Sequence, residues 1–225
     1  MGSGNESWEK FTESSGLQIG FSPKITQTRN GDIWTVSGHG LKGVNRFNGA
    51  RWTTTELRSL GGDDHNYAIL ETEDQILWIG GNKGYLHAYQ NDRWSVYHPP
   101  AVPLPEIYIV DLLQASDGAL WIAGIGQEAV RVDYGTSRWT TFAELHFQGE
   151  TSDGTQWFLS EDGSILRRKG ENWHEYQKDD LIDHLVALMT TRTDQVWIAG
   201  SHKESAATAV LENGKWTRVT HSKLS

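Results

Sequence analysis

The sequence predicts an all-β protein, a β-propeller of five four-stranded blades. Three observations carry this. A short phrase centred on Trp returns five times, as GDIWTVSG at Gly31, QILWIGG at Gln75, GALWIAG at Gly118, GTQWFLSEDG at Gly154 and QVWIAG at Gln195. The turns Asn30-Gly31, Asp117-Gly118, Asp153-Gly154, Asn48-Gly49 and Asn213-Gly214 are dipeptides that tolerate the positive φ of a tight hairpin. The 225 residues hold 11 Trp and 24 Gly against 2 Met, the composition of strands and turns rather than of helices.

The repeat sets the elements in order. The first Trp of each unit is Trp34, Trp78, Trp121, Trp157 or Trp197, at intervals of 44, 43, 36 and 40 residues. A second follows at Trp52, Trp94, Trp139, Trp173 and Trp216, after 18, 16, 18, 16 and 19 residues. Trp8, in SWEKF, matches this second kind and completes the eleven. The Trp78 unit shows the plan: NYAILETE alternates, QILWIGG is a short apolar run, YLHAYQ follows a Gly, and Asn91-Asp92 turns the chain into RWSVYH. Four short strands in about 40 residues, repeated, describe a propeller blade. The predicted blades are roughly 18–56, 64–98, 106–142, 144–177 and 183–221, within a single domain 8–225 preceded by a tail, 1–7. Trp8 would add an extra N-terminal strand equivalent to an outermost one. The alternative is a stretch of a longer array, cut in mid-blade.

The recurrence has a physical reason. A second strand lies between neighbouring sheets, and a Trp there fills the wedge and removes a large apolar area from water. All ten repeated Trp are therefore assigned to the repeat core, the outer set packing on the neighbouring blade. From each outer Trp to the next inner one the gaps are 26, 26, 27, 18 and 24 residues. The short gap, TTFAELHFQGETSDGTQ, predicts a trimmed connection and a notch at the fourth blade.

Charge narrows the function. Asp and Glu total 29 and Lys and Arg 20, a net charge of −9, which argues against a nucleic-acid partner and anionic membrane surfaces. No apolar run is long enough to span a bilayer, and MGSGNES lacks a signal pattern, so no membrane insertion is expected of this chain. Without Cys, disulfides and thiolate metal sites are excluded.

GALWIAG with the preceding LPEIYIVDLLQASD, and the later LIDHLVALMTTRTDQVWIAG, resembles the two-component regulator propeller repeat. The Trp34 unit departs from it with Thr-Val-Ser, and the Trp157 unit with Phe-Leu-Ser, in place of Ile-Gly. The resemblance implies a sensing propeller of the kind that forms extracytoplasmic regions of bacterial receptors, with carbohydrate-derived ligands and a periplasmic or extracellular place of work. No kinase or receiver motif is present in the sequence.

Strand two-to-three loops and interblade loops share one end of a blade, and loops carry function more often than strands. The ligand-binding candidates are His39, Asn82, Lys83, Gln127, Glu161, His202 and Lys203 on the first kind of loop, and Asp64, His65, Tyr108, Asp183 and His184 on the second. His65 and His184 each stand thirteen residues before an inner Trp and each follows an Asp; Phe21, Tyr108 and Glu144 hold that place elsewhere. Hydrogen bonding to the start of the inner strand explains the pair better than a metal, and no metal or other cofactor is assigned. Gly38-His39-Gly40-Leu41-Lys42-Gly43 matches a dinucleotide fingerprint, but VNRFNGARW follows where a helix is needed. The turn residues Asp32, Asp74, Asp117, Asp153 and Asp194 have an ordinary reason in turn chemistry.

The sequence therefore predicts a non-catalytic ligand-binding or sensing propeller, with a small molecule, a saccharide or a protein as partner. The readings beside it are a propeller enzyme of lyase or glycosidase type, a protein-interaction scaffold, and an excised repeat fragment that assembles through its blade faces.

Overall fold

In the computed structural model, residues 9–18, 20–21, 24–39, 43–62, 65–125, 128–176, 181–191 and 193–223 are described. They form five four-stranded antiparallel sheets, an all-β propeller of five blades. The first is β1 (Lys24–Gln27), β2 (Ile33–Val36), β3 (Val44–Phe47) and β4 (Trp52–Thr55), and the second β5 (Asn66–Glu71), β6 (Leu77–Gly81), β7 (Leu86–Gln90) and β8 (Arg93–Tyr97). The third is β9 (Tyr108–Gln114), β10 (Leu120–Ile125), β11 (Glu128–Asp133) and β12 (Arg138–Ala143). The fourth is β13 (Leu145–Glu150), β14 (Gln156–Ser160), β15 (Ile165–Lys169) and β16 (Asn172–Tyr176), and the fifth β17 (His184–Thr190), β18 (Val196–His202), β19 (Ser205–Glu212) and β20 (Lys215–His221). The chain divides into two compact units, residues 1–111 and 112–225, each described here by itself.

Every blade opens with the same hairpin. Six residues before each inner Trp stand Thr28, Thr72, Ala115, Thr151 and Thr191, whose N–H groups donate to the carbonyls of Asp32, Ile76, Ala119, Thr155 and Gln195 at 2.8–3.0 Å. The turn then needs a positive φ, supplied by Gly31, Gly118 and Gly154 but by Gln75 (63°) and Asp194 (61°) in the second and fifth blades. The hairpin tips also clamp neighbours. The Arg29 N–H donates to Glu71 Oε2 at 2.8 Å within the first unit; in the second, the Ser116 N–H and hydroxyl reach Glu150, and those of Ser152 reach Asp194.

The Trp residues do most of the wedge filling. Trp34, Trp78, Trp121 and Trp157 are buried, whereas Trp197 is half-buried. Three of the inner Trp meet aromatic rings of the next blade. Trp34 lies 5.2 Å from Tyr89 and 6.3 Å from Trp94; Trp157 lies 6.4 Å from Trp216, edge on; Trp121 stacks on Phe147 at 4.2 Å and meets Phe158 at 5.5 Å. These are the offset and edge-to-face contacts that ring quadrupoles favour.

The outer set is less buried than the inner one, though Trp94 and Trp216 do pack on the inner Trp of a neighbouring blade, Trp34 and Trp157. Trp52, Trp94, Trp139 and Trp216 are half-buried, and Trp173 is 43% exposed. The register shows why Trp173 departs. Opposite the outer Trp residues stand Phe47, Tyr89, Val132, Arg168 and Leu211, so only Trp173 faces a cation across the strand pair. Trp8 lies outside the described residues; Glu9 to Thr12, which follow it, form no strand, and Phe11 packs on Phe47 and Trp52 at 5.1 and 5.9 Å.

The trimmed connection is extreme. Ten residues join β4 to β5, ten join β8 to β9 and seven join β16 to β17, but Glu144 alone joins β12 to β13, in the left-handed region at φ 61°.

Candidate functional site

The sequence candidates of the first unit converge at the loop end of its sheets. His39 follows β2 and makes an isolated antiparallel bridge with Phe21, whose N–H donates to the His39 carbonyl at 2.9 Å. His65 immediately precedes β5 and Tyr108 opens β9. Between them stands Tyr67, which the loop-based reading missed. The four rings form a ladder: His65 to His39 at 5.8 Å, His39 to Tyr67 at 6.2 Å, and Tyr67 to Tyr108 at 6.0 Å, all edge to face. Tyr108 is 46% exposed and His39 is exposed, so one end and one rung of the ladder face solvent.

Two local features put Tyr67 there. The register of β5 on β6 slips between Asn66 and Ala68, leaving Tyr67 as the extra residue of a bulge, which re-aims its side chain. Gly38 makes room for it: a Cβ at Gly38 would sit 2.0 Å from the Tyr67 ring. The Gly that reads as part of a dinucleotide motif thus serves close packing. Asn82, half-buried, ties the next loop to the ladder, its N–H donating to the His65 carbonyl at 2.9 Å; Lys83 beside it is exposed, with φ 53°. Asp64 and Gln127 lie outside the described residues.

In the second unit, Asp183, His202 and Lys203 come together at the loop end of the fifth sheet. Asp183 accepts from the Lys203 N–H at 2.6 Å, and its other oxygen lies 2.6 Å from His202 Nδ1. The Lys203 N–H, then the neighbouring His202, hold the Asp183 carboxyl below the usual carboxylate range. The arrangement joins the strand two-to-three loop to the approach to β17, as Asn82 does in the second blade. His184 opens β17 and is exposed. Its predicted equivalence to His65 ends in a different setting, since His65 has a ring neighbour and His184 has none among the described contacts.

Glu161, also in the second unit, lies on the β14–β15 turn. With Glu144, Asp162 and Glu175 it lines an open depression of about 620 Å³, which occupies the place of the trimmed connection. No group of three or more His, Asp or Glu residues able to hold a metal occurs among the described residues.

These geometries can stack a flat or ring-shaped ligand and hydrogen-bond to it through imidazole nitrogens and a phenol. The described residues present no nucleophile–base–orienting triad in the ladder.

No family model matches the chain, and no curated protein matches it. Solved structures do. Virginiamycin B lyase from Staphylococcus aureus aligns at 16% identity over 87% of this chain and 68% of its own, with a TM-score of 0.63. The extracellular domain of a putative hybrid two-component system from B. thetaiotaomicron aligns at 12% identity over 88% of this chain, with a TM-score of 0.61. The chain spans only 29% of that domain's length. YCF48 bound to D1 peptide aligns at 15% identity over 86% of this chain and 64% of its own, with a TM-score of 0.56. By its five sheets and these similarities, the chain has the fold of the propellers found in a lyase and in the extracellular part of a two-component system, and its Trp-centred units resemble the two-component regulator propeller repeat.

Proposed function

We propose that the chain is a binding module without chemistry of its own, that it works outside the cytoplasm as part of a sensing receptor, and that it takes a carbohydrate-type ligand at the loop end of its first unit. The ring ladder His65–His39–Tyr67–Tyr108 carries this reading. Sugars present flat C–H faces bordered by hydroxyls, and aromatic rings with polar edges match both at once. The fold similarity to the extracellular domain of a hybrid two-component system supports the sensing role.

The test is a saccharide panel followed by ligand-observed NMR, with calorimetry on whatever binds. Tyr108→Ala and His39→Ala should weaken binding about tenfold each, given the roughly 1 to 1.5 kcal/mol that one ring contact or neutral hydrogen bond contributes. The bound sugar should be recovered unchanged after prolonged incubation. Conversion of the ligand to a product would refute the non-catalytic reading. Binding that survives both substitutions would refute the site.

A further inference from the structure

The repeat breaks at one position, and the break lines a cleft. Four blades place an aromatic or aliphatic residue opposite the outer Trp; the fourth places Arg168 there, and its Trp173 is the exposed one. A packing position given to a charge loses burial, so the departure calls for another reason. The Arg168 guanidinium lies over the rings of Phe142 and Trp173, 5.4 and 5.7 Å from their centroids, which holds it flat against the wall. The cleft runs between the third and fourth sheets within the second unit, at the end opposite the loops. Its volume of about 560 Å³ falls within the roughly 300–1,000 Å³ usual for small-molecule sites.

What matters is which guanidinium groups still have donors to give. Arg131 in this cleft is committed, its Nη2 at 2.6 Å from Asp117 and 2.8 Å from Asp133. In the first unit, Arg46 is committed too: it meets Asp32 at 2.6 Å, donates to Tyr89 Oη at 3.0 Å and lies over Trp34. Among the described residues, Arg168 makes two long bonds, 3.3 Å each, to Gln156 Oε1 and Glu171 Oε1. The Glu171 side chain is 96% exposed, so its carboxylate meets Arg168 from the solvent side and leaves at little expense. Arg138, on the cleft rim, is exposed and has no partner among the described residues. Two cations with donors to spare, a partly exposed Trp and the amide of Gln156 thus line one cleft, and a carboxylate, that of Glu171, already touches one of the cations.

We propose that this cleft binds a hydroxylated ring bearing a carboxylate, a ligand of uronic-acid type. Trp173 takes the ring face, Arg168 and Arg138 take the carboxylate in place of Glu171, and Gln156 and Asp117 take hydroxyls. Charge-assisted pairing by guanidinium is the stronger and more directional kind, so the carboxylate sets specificity. This site shares no residue with the ring ladder, and the proposal does not rest on the ladder.

The probes are glucuronate, glucose and acetate, titrated by calorimetry into the full chain. Glucuronate should bind, with glucose and acetate each about tenfold weaker or more, since each lacks one of the two recognised parts. Arg138→Ala should weaken glucuronate about tenfold while leaving the melting temperature unchanged, because its side chain is exposed and unpaired. Trp173→Ala should abolish detectable binding, and Tyr108→Ala, at the ladder, should leave it intact. Arg168→Gln is informative if folded; if it is not, Arg138→Ala carries the test. Absence of glucuronate binding at millimolar concentration, glucose binding as tight as glucuronate, or full affinity in Trp173→Ala would each overturn the proposal.

Discussion

Replacing Trp121 tests the packing argument where it is strongest. Trp121 is fully buried, stacked on Phe147 at 4.2 Å with an interplanar angle of 8°, and close to Phe142 and Phe158. A Trp side chain buries up to about 250 Å², which at about 25 cal/mol per Å² sets an upper bound near 6 kcal/mol for losing it entirely. Alanine keeps part of that area, and large-to-small changes in cores usually cost about 3–5 kcal/mol, so Trp121→Ala should lose about 4 kcal/mol. Trp121→Phe is different. Trp121 Nε1 is buried with no hydrogen-bond partner among the described residues. Removing that donor relieves an unmet desolvation cost of about 1–3 kcal/mol, which offsets much of the small cavity left behind. The Phe variant should therefore lose about 1 kcal/mol or less. Urea unfolding followed by far-UV circular dichroism, with matched m-values, reads both. Equal losses in the two variants, or an alanine loss below about 2 kcal/mol, would refute the wedge-filling account.

Three further outcomes follow from the local geometry. Gln75→Gly should stabilise the protein by about 0.5–1 kcal/mol, because Gln75 holds a positive φ that glycine supplies freely in the equivalent turns; thermal unfolding measures it. Gly38→Ala should weaken ligand binding at the ladder more than it lowers stability, since the new Cβ meets the Tyr67 ring rather than backbone; calorimetry and a melting curve separate the two. Lys169, hydrogen-bonded to Asp153 at 2.6 Å, and then the Thr155 and Thr151 contacts hold the Asp153 carboxyl well below its usual range against the opposing effect of burial. A depressed carboxyl contributes stability above its unfolded pKa and loses it as pH falls through the folded value, so the contribution disappears on acidification below about pH 4. With both side chains more than half exposed, Lys169→Ala should remove under about 1 kcal/mol near neutrality and flatten the acid limb of a stability–pH profile.

The five blades were legible because their cause is periodic. A Trp every 36 to 44 residues, each shortly preceded by a turn Asp, places five hairpins whose hydrogen bonds agree to within 0.2 Å. The short gap between Trp139 and Trp157 likewise showed that one connection is trimmed. What could not be read is what depends on register. Tyr67 reaches the ladder through a bulge, which adds a residue to one strand without changing the pattern of apolar positions. Trp173 looks like its four counterparts in sequence, and its exposure follows from Arg168 opposite it across the strand pair, a relation that only strand pairing defines. The loop candidates His39, His65 and Tyr108 do meet, as do Asp183, His202 and Lys203, because loop ends of neighbouring strands must lie close; within the second unit Glu161 does not join the latter three, its turn lying over the trimmed connection.

The one-residue step at Glu144 has a consequence for how the molecule tolerates change. The ten-residue connections before β5 and β9 have slack, and lengthening such a segment adds only a fraction of a kcal/mol for each doubling. New termini or an inserted domain would be absorbed there. Between β12 and β13 there is nothing to lengthen without pulling one strand off its ladder. The third and fourth blades are therefore yoked as a single eight-strand span, and a recombination that shuffles blades must carry these two together.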